Sequence, residues 1–280
     1  MAAVTTERLL EIALGLAGWD TAPPDCAIYS AGTRISHVLI GLDVGASDIF
    51  MARQLGYHAV IAYHPPGAHG PAWEVYRRHI EQLVAAGVPR DDAERAIEDG
   101  IERLEFALRR QNADHVASVA RMLEMPLITI QSPLGETARR QLQRHLDDMH
   151  AVEPDASVAA IRDALLALPY VGGAPVAPGL ALGDWQSPAG RVVVSYGAYA
   201  TLDASIARAY FAHGAGTLVC ADFALDDARQ LRREGIAGAI LTLGEDATAS
   251  AGMLPYVERL RQDGLEVTTF SGIIEPDAGG

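Results

Sequence analysis

The chain has 280 residues, 49% of them hydrophobic and 21% charged, the balance of a soluble globular protein able to fill one large domain or two moderate ones. All 22 basic residues are arginine, and 36 acidic residues bring the formal charge to -14. The absence of lysine excludes a Walker-type phosphate loop, a pyridoxal Schiff base and amine-nucleophile aldolase chemistry. The acidic balance, with no basic run to offset it, argues against direct nucleic-acid binding.

Apolar residues at helical spacing behind a Thr cap predict an opening helix over Thr6 to Ala17. A Pro- and Gly-rich run follows. Then come strand His37 to Leu42, helix Ser47 to Leu55, the break at Gly56 and strand Ala59 to Tyr63. Strand, helix, glycine and strand form a βαβ pattern, and continuous apolar strands imply a parallel sheet covered on both faces. Charged helices are predicted over Trp73 to Ala86 and Asp91 to Arg110, and a further helix over Ala113 to Leu123. Strand Pro126 to Gln131 and helices Glu136 to Leu146 and Ser157 to Leu168 come next. Pro169 to Gly190 reads as a linker.

From Arg191 the first pattern returns, with strand Arg191 to Tyr196, helix Asp203 to His213, a glycine break and strand Thr217 to Cys220. The order and lengths of the elements match the first unit over about 30 residues, the size of one βαβ unit, and suggest a degenerate duplication. Helix Leu225 to Glu234, strand Gly238 to Leu243, helix Ala247 to Gln262 and strand Leu265 to Phe270 complete the pattern. The expected fold is therefore α/β, with two similar βα-repeat lobes whose mostly parallel sheets are flanked by helices. The first lobe covers residues 1–150 and the second 191–280, joined by a helix and linker over 151–190, and the C-terminal strands are candidates to complete the first lobe.

Only Cys26 and Cys220 are present, which offers neither a thiolate zinc site nor a disulfide framework and fits a reducing cytoplasm. No basic segment leads into an apolar run at the N-terminus, and no stretch of about 18 apolar residues occurs, so neither a signal peptide nor a membrane span is expected.

In open parallel sheets, ligands collect beyond the carboxyl ends of the strands. The polar residues there are Asp43, His64, Gln131 to Glu136, Asp222 and Glu245. Carboxylates and an imidazole on one edge suit a divalent ion with mixed nitrogen and oxygen ligands, although Asp43 and Asp222 are equally placed to cap the helices that follow. His64 leaves its strand into Pro65-Pro66-Gly67, where the prolines fix the exit of the chain. His69 reads as a solvated loop residue, and His115 opens a helix.

At these residues the chain resembles the NIF-three family, also called the dinuclear metal centre family. The resemblance rests on Trp19-Asp20, on Val38 to Asp43 with the βα unit behind it, on Tyr63-His64-Pro65, on Asn112 to His115, on Met125-Pro126 and on Gly244-Glu245. It implies two α/β lobes around a cleft, a toroidal hexamer, and two divalent ions held by histidines and carboxylates. The sequence departs from that pattern at the implied ligand positions. Tyr63 stands where the family has its first histidine, Gly135 where it has an aspartate with Glu136 beside it, Glu245 where it has a histidine, and Ala249 where it has a glutamate. Only His64 keeps its identity. The residues that remain, His64, Glu245 and Glu136, with Asp43 or His115 and with Tyr63 as a hydrogen-bonding neighbour, suggest a single Zn, Fe, Mn or Mg ion serving metal-assisted hydrolysis of a nucleotide-like small molecule. The alternative is a metal-free binding or scaffold protein.

Overall fold

The computed structural model describes residues 4–67, 71–197 and 202–276. His69 lies outside them. Two mixed sheets carry the fold. The first has the order β1-β4-β3-β2-β9, built from Ala27–Ser30, Leu127–Thr129, Ala59–Ala62, His37–Gly41 and Glu266–Phe270. The second has the order β5-β8-β7-β6, built from Gly179–Leu182, Ala239–Thr242, Thr217–Cys220 and Val192–Val194. In each sheet the inner strands are parallel and one antiparallel edge strand, β1 or β5, completes one side. Both edge strands carry a register irregularity at the same place, between Ile28 and Ser30 in β1 and between Leu180 and Leu182 in β5. The last strand, β9, runs parallel to β2 and so belongs to the first sheet.

The helices are α1 (Thr6–Ala17), α2 (Ala46–Gln54), α3 (Arg78–Ala85, preceded by a 3-10 turn Ala72–Arg77), α4 (Arg90–Arg109), α5 (His115–Met122), α6 (Gln131–Val152), α7 (Val158–Leu166), α8 (Pro169–Gly172), α9 (Ala204–Ala212), α10 (Leu225–Arg233) and α11 (Glu245–Gln262). The start of α1 follows from Thr5, whose hydroxyl accepts from the Arg8 amide, and its end from Gly18, which takes the left-handed conformation that a side chain disfavours.

Alternate strand residues face different layers, as the two-residue period of a strand dictates. Val38 and Ile40 of β2 pack inward on α6 residues such as Leu134 and Leu142, in a core shared with Val194 and Leu241 of the second sheet. Leu39 faces outward with Val60 and Leu127, beneath α2 and α5. On the far side, Leu218 and Ile240 of the second sheet pack on Ile206 and Tyr210 of α9 and, through Tyr76, Leu83 and Ile97, on the segment that carries α3 and α4. The result is a layered sandwich in which α6 and α11 pack on each other between the sheets.

Two expectations are corrected. The stretch read as a linker contains α8 and the strand β5. This strand is short and half-exposed and is flanked by Pro and Gly, so it lacks the apolar run that marks a covered strand. Helix α6 begins at Gln131 rather than Glu136. Pro133 and Gly135 look like breakers, yet a proline in the first turn of a helix removes no intrahelical hydrogen bond. No helix among the described residues is long and apolar enough to cross a membrane.

Candidate functional site

The carboxyl ends of β3, β6 and β7 and the start of α11 meet around a cavity of about 300 Å³, lined by Tyr63, His64, Gln131, Tyr196, Cys220 and Glu245 among others. His64 is the junction of the two halves. Its Nδ1 lies 2.9 Å from Asp43 Oδ1, and its Nε2 lies 3.1 Å from Glu245 Oε1. Glu245 comes from the second half as the first residue of α11, where an acidic side chain also complements the helix dipole. Its Oε1 accepts a hydrogen bond from the Tyr196 hydroxyl at 3.0 Å. The Tyr196 and Tyr63 hydroxyls are 2.5 Å apart, so Tyr63 donates when Tyr196 donates to Glu245. A continuous chain of polar contacts thus runs from exposed Asp43, through half-buried His64 and Glu245, to two buried phenols.

Partial burial disfavours the His64 imidazolium, but the hydrogen bonds to Glu245 and Asp43 outweigh it and hold the His64 pKa above the ordinary histidine value. Burial, reinforced for both by the charge of Glu245, pushes the Tyr63 and Tyr196 hydroxyls well above the usual phenol range. Asp222 is raised by burial and then by the nearby Glu245 charge. At neutral pH the chain is a hydrogen-bonded Asp–His–Glu unit backed by two neutral phenols.

The structure brings His64, Asp43, Glu245 and Tyr63 together, and leaves two sequence candidates elsewhere. Glu136 is buried on α6, where its carboxylate takes two hydrogen bonds from Arg139 at 2.8 Å and one from Arg140 at 2.7 Å. Burial alone would raise its pKa, and the two guanidinium groups bring the net shift below the usual carboxylate value. His115 is exposed at the start of α5 and does not line the cavity. Gln131, one of the strand-end residues, lines the cavity, and so do Tyr196 and Gln111, which the sequence did not single out. The strand-end criterion does reach Tyr196, which closes the β6 run, but a phenol is neither a ready metal ligand nor titratable near neutrality and so attracts no attention.

No family model and no curated protein sequence matches the chain. Among solved structures, a NIF3 superfamily protein from Sphaerobacter thermophilus is 36% identical, with a TM-score of 0.92 over 97% of this chain and 100% of that one. The chain belongs to the NIF3 superfamily. Reduced HcgD from Methanocaldococcus jannaschii, at 13% identity and a TM-score of 0.58, covers 96% of this chain and 98% of its own. A Bacillus cereus protein related to NIF3, at 10% identity and 0.54, covers 98% of each. At these identities they show the shared fold alone.

In this NIF3-superfamily chain one of the places implied for a further metal ligand is sterically closed. A Cβ on Gly135 would lie 2.7 Å from the Gly197 Cα and 3.4 Å from the Tyr63 hydroxyl. A carboxylate side chain at position 135 therefore requires the Gly197 backbone to move. Ala249 is fully buried in α11. Among the described residues, no group of three or more His, Cys, Asp or Glu is arranged to hold an ion. The residues present do not fit a dinuclear centre.

Proposed function

We propose that this protein uses its inter-lobe cleft to bind a small polar molecule without the dinuclear centre that the resemblance implies. The observation that carries this reading is the engagement of both His64 ring nitrogens, one by Asp43 and the other by Glu245. A histidine whose two nitrogens both donate has no lone pair for a metal. The cavity offers a ligand the Glu245 carboxylate, the Tyr196 hydroxyl and the side-chain amide of Gln131, whose buried Oε1 has no partner among the described residues. Such a set fixes orientation by hydrogen bonds, and the apolar remainder of the wall provides burial. The ring of six subunits implied by the resemblance is part of the proposal, and light scattering of the purified chain tests it; a monomer would remove it.

One observation favours a second reading. The 3.1 Å between His64 Nε2 and Glu245 Oε1 also suits two ligands of one ion, with Asp43 behind Nδ1 as the carboxylate that orients a ligating histidine. These two residues would hold the ion, which when bound would polarise a substrate oxygen or acidify a water. Metal content after exposure to Zn, Mn or Fe and desalting, measured by plasma mass spectrometry beside His64→Ala and Glu245→Ala, separates the readings. Well under one ion per chain is the expected result. One ion per chain, lost in both variants, selects the second reading, and two ions per chain overturn the first outright.

A further inference from the structure

A second concavity, of about 440 Å³, lies between α3 with its preceding turn and the first turns of α6, and Trp19, Arg77, Arg78, Glu136, Arg139 and Arg140 line much of it. Most charges here are matched. Arg77 pairs with Glu74, and Arg90 closes on Glu81 at 2.9 Å. Glu136 alone answers both Arg139 and Arg140, which leaves one positive charge over. Arg78 provides the other. Its guanidinium carbon sits 3.4 Å from the centroid of the Trp19 ring, and among the described residues it has no hydrogen bond or ion pair. The charges of Glu136 and then of buried Asp25 attract it through space, and neither carboxylate hydrogen-bonds to it. Stacking spends the face of the guanidinium and leaves its edge N–H groups free, and the terminal nitrogens of Arg140 are free too, because only its Nε reaches Glu136.

We propose that the Trp19–Arg78–Arg140 groove is a binding site for a phosphoryl group, distinct from the cleft at His64. A half-buried guanidinium without an acceptor has lost hydration and gained nothing directional in return. An oxyanion meeting its edge restores that loss with charge-assisted hydrogen bonds. With Glu136 and Asp25 counted against Arg78, Arg139 and Arg140, one net positive charge remains. The unused guanidinium edges on two helices offer more N–H donors than a single carboxylate would fill, as the three oxygens of a phosphoryl group would. In a chain without lysine, guanidinium edges are the natural phosphate donors. The groove also bears on the cleft. Gln82, one turn after Arg78 on α3, lines the groove and donates from Nε2 to the Tyr196 carbonyl at 2.8 Å.

Calorimetric titration of the full chain at low ionic strength, with inorganic phosphate and separately with ribose 5-phosphate, tests the proposal. Saturable binding is expected. Arg78→Ala should weaken it about tenfold or more, the loss of at least one charge-assisted hydrogen bond. Arg140→Ala should weaken it less, and Arg208→Ala, whose partner Glu234 is remote from the groove, should leave it unchanged. Tighter binding of the phosphomonoester identifies a phosphorylated metabolite as the occupant, and equal or tighter binding of phosphate identifies the free ion. No saturation with either probe, or saturation that neither Arg78→Ala nor Arg140→Ala weakens, overturns the proposal. Because Arg140 is exposed, the second variant decides the matter even where the first fails to fold.

Discussion

The two halves share one plan and differ most in one connection. In both, an antiparallel edge strand with the same register irregularity flanks three parallel strands, to which β9 adds a fourth in the first sheet, and the long helix that follows β4 or β8, α6 or α11, packs between the sheets. In the second half, β7 reaches β8 through α10 alone, whereas in the first half β3 reaches β4 through a 3-10 turn, α3, α4 and α5. That insertion packs across the molecule on α9 of the second half. It also carries Arg78, Gln82 and Gln111, and so contributes to both concavities. The repeated plan supplies the frame, and the asymmetric insertion supplies much of what makes the chain specific.

The strongest way to break this arrangement is at Asp203. Its Oδ1 caps α9 by accepting from the Ser205 and Ile206 amides, while its Oδ2 accepts from Tyr76 at 3.1 Å and Arg103 at 2.6 Å, both in the insertion. Asp203→Ala removes the cap and leaves a buried phenol without its partner, and should cost about 3 to 4 kcal/mol in urea denaturation. Next comes the packing between the halves. A Cβ at Gly252 of α11 would run into the Leu134 carbonyl oxygen of α6. Gly252→Ala should therefore cost about 2 to 3 kcal/mol by the same assay.

Asp25 sharpens the comparison in the opposite direction. It serves only the first half, where its Oδ2 accepts from the Ser132 amide at the start of α6 while its Oδ1 has no partner among the described residues. Burial pushes its pKa up to about 6, from the ordinary aspartate value of 3.8. A carboxyl whose pKa is raised on folding holds its proton more tightly in the folded state. Its contribution to stability is therefore greatest below the unfolded pKa and falls as pH rises from about 4 to about 6. Asp25→Asn should remove that fall, so that the variant gains up to about 3 kcal/mol over the parent above pH 6.5, at 1.36 kcal/mol per unit, and nothing at pH 3.5. Equal pH dependence of the two proteins would refute this account. The smallest effect is spectroscopic. In chelator-treated protein, NMR titration should place the His64 pKa above that of an exposed histidine. Glu245→Gln should lower it more than Asp43→Asn does, so that the second half contributes the larger share.

Much of the fold was legible because covered parallel strands must be continuous apolar runs, as Val38 to Ile40 and Leu218 to Cys220 are. The edge strands β1 and β5 were not, since half-exposed strands bordered by Pro and Gly carry no such run. The same limit governed the site. His64, Asp43 and Glu245 were legible as residues that follow strands. Glu136 was misplaced because Pro133 and Gly135 hid the first turn of α6. Once that turn is helical, the Glu136 side chain belongs to Arg139 and Arg140, three and four residues ahead on the same helix face. Tyr196 escaped because its role is to donate a hydrogen bond, which no ligand pattern records.

The pairing of β9 with β2 also sets a timetable. His37 of β2 finds its partner at Glu266, and at a ribosomal rate of about 5 to 20 residues per second that partner emerges roughly 10 to 45 seconds later. Throughout that interval one side of β2 presents unpaired amides and carbonyls along an apolar strand, the kind of open edge on which nascent chains aggregate. The first sheet is therefore begun early in synthesis and sealed late. A chain stopped before residue 266 would keep every residue that lines the cleft and still carry an unprotected edge.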